Sequence, residues 1–451
     1  MTGRLFVFLM ALLYCHGAGA YDFYDRSRGG VLYYNIVSEN ERTCEMTYGD
    51  EIGAYVGSVT IPRTVRHKGK RYRVTAVGKE AFAHCDRLTS ITFTSNITRI
   101  DSAAFEGCTG LYWLKLPKSL KYLGTKAFYG CMVIPYVDIP AMVGHIGIGA
   151  FSNCEGLVDI TVNEGNSRYN DADGKSCIVD KTTHTLIQGC SSTTIPREVK
   201  AIAPFAMSGC KGMENVKLWP SITQIGENAF SGCSSLQSVD LPYGMTDIES
   251  YTFAGCTALK EVTFPSTVLS IGDYAFKECS SITDLMLPDD VMTIGNGAFY
   301  GCNSITLLIM PSQLYALGQA AFAHCNSLPD VAIPEGVSVL QPHTFDSCSK
   351  LSNVLFSNSL KSIGAYCFYG CEALTNIEFP KSLEFIGECA FTGCGGLKSI
   401  RCGNPIPPAI NDDAFSPYTY ESLRITVPSA SEEYYAKASG WKNFKKLTNK
   451  N

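Results

Sequence analysis

The sequence is poor in the residues that carry most protein chemistry. It holds 7 histidines and 3 tryptophans among 451 residues. H-E-x-x-H, G-x-S-x-G and a phosphate-cradling glycine loop are all missing. That removes the common zinc-hydrolase, serine-hydrolase and nucleotide-binding signatures. There is no C-x-x-C among the 20 cysteines, so the close ligand pairs of structural zinc sites are missing too. Carboxylates are scattered, with no pair placed for acid–base work. Basic residues number 37 against 42 acidic ones, a net charge of −5, which argues against a nucleic-acid partner. Beyond the first 20 residues no apolar run reaches the length of a membrane span. No residue therefore stands out as catalytic, metal-ligating or cofactor-binding, and the expectation is a protein that is not an enzyme and needs no cofactor.

What is present begins with a leader. "LFVFLMALLYC" is apolar and short, and "GAGA" follows it. Residues 1–20 read as a signal peptide cleaved after Ala20, with Ala18 completing the small-residue pattern. Cys15 raises the rival reading of a lipidated cysteine, but Tyr14 stands where a small residue is wanted. The expected location is outside the cytoplasm: cell surface, extracellular space or periplasm.

The rest of the chain repeats itself. The phrase "AFxGC" places phenylalanine at Phe82, Phe105, Phe128 and Phe151, then at Phe230, Phe253, Phe276, Phe299, Phe322, Phe345, Phe368 and Phe391, in steps of 23 residues. Met207 takes the same place before Phe230, and a cysteine follows each position three residues later, from Cys85 to Cys394. Between cysteines the text reads C-x-x-L-x-x-I-x-L-P, then I-G and A-F. One example is Leu111, Leu114, Leu116, Pro117, Leu120, Leu123 and Gly124. The L-x-x-L-x-L core is a leucine-rich-repeat pattern, and its end alternates as a strand with one buried face must. Proline lacks the N–H to continue a ladder, and glycine permits a tight turn. A single unit cannot bury its apolar side, but stacked units can. The expected fold is a repeat solenoid, mainly β. It has one strand per 23-residue coil in a parallel sheet, a β N-terminal cap and a short helical C-terminal cap. Phenylalanines and cysteines should each form a column.

The register slips by ten residues between Phe151 and Met207, where "SCIVDKTTHTLIQGC" reads as a β-hairpin. This insertion, about 163–189, is expected to project from the solenoid. The repeat cysteines read as small buried thiols. In-register side chains on neighbouring coils stay about 4.8 Å apart, too far for the Cβ separation of a disulfide. Cys177 and Cys190 remain the best disulfide pair. His84 and His324 precede Cys85 and Cys325 and suggest a Cys–His couple, but both sit where most repeats have glycine. They read as tolerated exposed substitutions.

Residues 21–75 read as the N-terminal cap, 76–428 as the solenoid and 429–451 as the C-terminal cap. In the first, "GVLYYNIV" and "RYRVTAVG" alternate like strands, and "HKGK" turns the chain. Arg63, Arg66, Lys68, Lys70, Arg71 and Arg73 form a basic run there. It reads as a solvated hairpin tip, with anion binding as the alternative. At the other end "LRITVP" is a last strand and "SASEEYYAKASGWKNF" a helix. A capping box runs from Ser429 to Glu432, and Trp441 and Phe444 close the core.

"IGNGAFYGCNSITLLIMP" and "IGENAFSGCSSLQSVDLP", with the opening "YDFYDRSRGGVLYYNIV" and the ending "VPSASEEYYAKASGWKNF", resemble the BspA-like leucine-rich repeat proteins. These are exported or surface proteins abundant in Bacteroidota. The likeness extends over nearly the whole chain after the leader. It implies adhesion or recognition, of host matrix proteins, other microbes or surface glycans. It transfers no residue-level binding motif.

The strand offers two outward positions per coil. The second of them reads Met286, Ile309, Ala332 and Leu355 in successive coils, with Leu307 beside them. Neighbours at strand spacing would merge into one apolar patch, rimmed by Glu261, Asp284 and Asp330. This is the expected partner-binding face, for a host matrix or microbial surface protein. Trp113 and Tyr136, in consecutive coils, are a second candidate suited to sugar or protein. Glycan capture and a purely structural envelope role are the alternative functions.

Overall fold

The 23-residue period becomes one coil of a β-solenoid. The computed structural model describes residues 21–26 and 30–449, so the leader and Cys15 lie outside the described residues. Two compact units are distinguished. The first holds the residues up to Ile134 together with Pro140–Ala150, and the second holds Pro135–Ile139 and everything from Phe151.

In the first unit a β-meander, Phe23–Asp25, Leu32–Ser38 and Thr43–Thr47, pairs antiparallel and then joins Lys70–Val77 in parallel. From Lys70–Val77 the ladder continues through Arg99–Ile100, Tyr122–Leu123 and His145–Ile146, all parallel. The β cap thus supplies the template on which the first coils stack, with the three-residue strand Phe23–Asp25 as its outer edge. Thr64–His67 pairs with Lys70–Val77 around Lys68 and Gly69, whose φ angles are 48° and 77°. Two positive φ angles in a two-residue loop match the twist of a hairpin. The six basic residues on this hairpin are exposed, and Lys70 lies 3.7 Å from Glu39.

In the second unit each regular coil contributes two strands, one more than the repeat pattern suggests. One is the L-x-L strand, such as Asp284–Met286. The other is a shorter strand just before the I-G step, such as Thr293–Ile294. The short strands pair in parallel from Asp247–Ile248 to Ala316–Leu317 and from Val339–Leu340 to Ala409–Ile410. The second ladder follows from the "x-I-G" text, where a buried isoleucine alternates with an outward residue. Gly318 shows why glycine ends this strand: a Cβ there would fall 2.4 Å from the Gly295 carbonyl carbon. The reason is close approach of coils, not the turn freedom that the sequence suggests.

The phenylalanines form a column. Phe82, Phe105 and Phe128 stack in the first unit at 4.8 and 4.9 Å between ring centroids. In the second unit the column runs from Phe230 to Phe391, with spacings such as 5.2 Å for Phe299–Phe322. Phe415 extends it at 5.1 Å. That ring escaped the sequence pattern because it lies 24 residues after Phe391 and lacks the following cysteine. The Phe corner is also a backbone ladder: Phe276 N–H donates to Ala298 O and Phe299 N–H to Ala321 O, both at 2.8 Å.

Two expectations need correction. The hairpin, Cys177–Asp180 with Thr185–Gly189, does not project. Its second strand pairs in parallel with Ala201–Ile202 and so starts a short-strand ladder. All four residues of Cys177–Asp180 are buried, so both faces of that strand are covered. The C-terminal helix, Glu432–Lys437, begins after Ser431, two residues later than the capping-box reading. A further helix, Pro417–Ser422, is started by the Ser416 side chain and a proline in its first turn. Trp441 and Phe444 are buried, and the Trp441 indole donates to Pro408 O at 2.7 Å.

Candidate functional site

Alternation along the L-x-L strands decides what faces outward. Leu285, Val331 and Val354 point into the core, which turns their neighbours out. Met286 is 61% exposed, Leu307 43%, Ile309 47% and Leu355 65%, and Ala332 is exposed as well. Met286 pairs in register with Ile309, and Ala332 with Leu355. The two strand pairs are not laddered to each other. Thr306 N–H bonds Thr283 O at 2.8 Å, whereas Pro329, in the same place one coil on, has no N–H to give.

The surroundings of this apolar row are acidic. Asp284 and Asp330 occupy the first outward column, and Asp289, Asp290 and Glu335 lie in the turns after the strands, all exposed. None of the five forms an ion pair among the described residues. Glu335 instead accepts from the Asn358 backbone and side chain at 3.1 and 3.2 Å. Glu261, the other expected rim residue, is exposed one coil earlier. The three turn carboxylates lie outside the strand text, which is why a strand-column reading misses them. Trp113 is an exposed strand residue of the first unit, and Tyr136 an exposed strand residue of the second.

The cysteines answer a different question. In each regular corner the thiol reaches back to the preceding coil. Cys108 Sγ donates to Phe82 O at 3.0 Å, Cys279 to Phe253 O at 3.1 Å and Cys302 to Phe276 O at 3.1 Å. The same bond recurs at Cys131, Cys233, Cys256, Cys325, Cys348, Cys371 and Cys394. Each of these Phe (or Met207) carbonyls also accepts the N–H of the cysteine three residues on, as in Cys302 N–H to Phe299 O at 3.2 Å. Both lone pairs of a buried carbonyl are thereby used. Burial pushes the thiols of Cys233, Cys302, Cys348 and Cys394 up to about 12, against a partial lowering by the backbone of the preceding cysteine. They are protonated donors, not nucleophiles.

Cys177 and Cys190 are buried free thiols rather than a disulfide. Cys190 Sγ donates to Ser176 O at 3.4 Å. His84 and His324 hold left-handed backbone, φ 56° and 61°, where glycine stands in most coils. The His324 ring lies edge-on to Tyr300, while the Cys325 thiol turns inward to Phe299 O. No Cys–His couple forms there. Cys389 is different: it is half-buried, and its ligand atom lies within 4.8 Å of those of Glu388 and Asp413, an arrangement a cation could enter. Native-state alkylation at pH 8 followed by peptide mass mapping should label Cys389 and leave the repeat cysteines unmodified. In denaturant all of them should react. Rapid labelling of Cys302 in the folded protein would contradict the thiol ladder.

The sequence matches the BspA type leucine rich repeat region in six copies, over residues 75–183, 178–306 and 292–421. The chain belongs to the BspA-type leucine-rich repeat family. Among solved structures this BspA-type protein is similar to a leucine-rich repeat protein from Bacteroides ovatus, at 25% identity and a TM-score of 0.52, covering 96% of this chain and 100% of the other. A leucine rich cell surface protein from Faecalibacterium prausnitzii is 21% identical with a TM-score of 0.36, covering 95% of each chain. A leucine-rich repeat protein of T. pallidum is 28% identical with a TM-score of 0.36, over 40% of this chain and 85% of that one. No curated protein matches the sequence. Among the described residues no helix is long and apolar enough to cross a membrane.

Proposed function

We propose that this BspA-type protein is an exported, non-enzymatic recognition protein. Its partner is a host or microbial surface protein that presents apolar and basic side chains to the Met286–Leu355 face. The observation that carries this reading is a row of exposed apolar residues on four successive coils, Met286, Ile309 with Leu307, Ala332 and Leu355, left open to solvent. Isolated exposed apolar residues are ordinary, but a contiguous row is not. The acidic residues around it, unpaired with any lysine or arginine, favour a cationic partner and disfavour an anionic one. The protonated, buried thiols and the leader-like first 20 residues support the non-enzymatic and exported parts of the reading.

The test is an array of matrix and microbial surface proteins probed with the mature chain and with an Ile309→Asp/Leu355→Asp variant. Both positions are exposed, so the variant should keep the parent's circular dichroism and melting temperature. A specific partner should lose at least about 30-fold in affinity in the variant. Its association rate should fall as salt rises, because the acidic rim steers the encounter. Binding that the variant leaves intact, or that grows with salt, would remove this face from the proposal.

A further inference from the structure

The short-strand ladder carries a second feature, on residues the sequence pattern treats only as turn approach. Ser270, Thr293 and Ala316 are in register across three coils and turn outward, because Ile271, Ile294 and Leu317 next to them are buried. Gly272, Gly295 and Gly318 follow, so the surface there is bare backbone. It forms the floor of a groove of about 750 Å³. At one end of the strands stands Tyr315, 60% exposed. At the other end Asp273 accepts from the Asn296 backbone at 2.6 Å, and Asn296 accepts from Gln319 N–H at 2.9 Å. Ser338, Val339 and Gln341 of the next coil complete the lining.

The chemistry of this lining selects among ligands. The Thr293 and Ser338 hydroxyls, the Gln341 amide and the Tyr315 phenol make no side-chain hydrogen bond among the described residues, so they are free to bond a guest. No lysine or arginine lines the groove, so an anion finds no counter-charge. The glycine N–H groups of the floor are already spent on the ladder, as in Gly318 to Ile294 O at 2.8 Å, so a peptide cannot add as a strand. An exposed tyrosine ring beside hydroxyl and amide groups suits the two sides of a sugar: apolar C–H face and polar rim. We infer that the groove between Tyr315 and Asn296 binds a neutral oligosaccharide. Its size is within the range of small-ligand sites, enough for a few sugar residues. This site is separate from the Met286–Leu355 face and does not depend on it.

The experiment is calorimetric titration of the mature chain with neutral cello-, xylo-, manno- and malto-oligosaccharides. Sialylated and sulfated glycans serve as the charged comparison. At least one neutral series should bind with a dissociation constant of about 0.1–1 mM. Tyr315→Ala should weaken it about tenfold by removing the stacking face. Ala316→Arg should abolish it by filling the floor. Ile309→Asp/Leu355→Asp should leave it unchanged, which separates this site from the protein-binding face. Tyr315 is exposed, so its variant stays folded even if Ala316→Arg does not. Failure of every neutral series to bind, selective binding of the charged glycans, or binding that survives Tyr315→Ala undiminished would overturn the inference.

Discussion

Above about pH 9 the protein should lose stability steeply, and the thiolate absorbance at alkaline pH should appear together with unfolding rather than before it. The cause is the cysteine ladder. In the unfolded chain a thiol titrates near its ordinary value of 9.0, while burial holds Cys233, Cys302, Cys348 and Cys394 at about 12. Between those values the folded protein keeps protons that the unfolded chain has released. Stability therefore falls as pH rises. The contribution is fully present below about pH 8 and is lost progressively through the folded value. Each such thiol contributes a slope of up to about 1.4 kcal/mol per pH unit. Four of them together approach about 5 kcal/mol per unit, comparable with the whole stability of a typical domain. Urea midpoints measured from pH 7 to pH 11, alongside absorbance at 240 nm, check this. A gradual thiolate titration centred near pH 9 in a protein that keeps its circular dichroism would show the ladder thiols to be solvent-accessible instead.

Phe322→Ala should cost about 3–5 kcal/mol, among the largest single-site effects in the chain. The ring is fully buried and stacks on Phe299 at 5.2 Å and on Phe345 at 5.8 Å, so its loss opens a cavity shared by three coils. A solenoid is stabilised by contacts between neighbouring coils. A cavity in one coil therefore weakens two interfaces, and no distant element compensates. Met207 occupies the same column ahead of Phe230, fully buried, which shows that an unbranched apolar side chain can fill the place. Phe322→Met should accordingly cost under about 1.5 kcal/mol. Denaturant unfolding of the two variants measures the difference. Equal losses would mean that ring stacking, rather than filled volume, holds the column.

The two surfaces of the second unit divide by chemistry. The L-x-L face offers apolar side chains and uncompensated carboxylates, whereas the short-strand groove offers hydroxyls, amides and one tyrosine ring. One chain can thus present a protein-binding face and a sugar-binding groove on alternate strands of the same coils. The Ile309→Asp/Leu355→Asp and Tyr315→Ala variants address them separately.

The sequence by itself determined the coil. A phenylalanine and a cysteine at fixed offsets every 23 residues, with Leu, Leu and Ile between them, specify a buried side, a strand and a corner, because burial along a strand follows local alternation. That was enough to read the solenoid, the columns, the outward residues Met286, Ile309 and Leu355, and the family. Only the tertiary structure decided what depends on the distance between coils. Whether Cys302 merely fills space or donates to Phe276 O is set by where the preceding corner lies. Whether Gly318 serves a turn or a close approach is set by the Gly295 backbone beneath it. The hairpin from Cys177 reads as projecting because its own text pairs two strands. It lies in the sheet because Ala201–Ile202 offers an open parallel edge. The groove beside Tyr315 has no signature in any one repeat, since its floor is three glycine steps from three coils. Repetition makes local rules legible, while contacts between repeats come from geometry that no single repeat encodes.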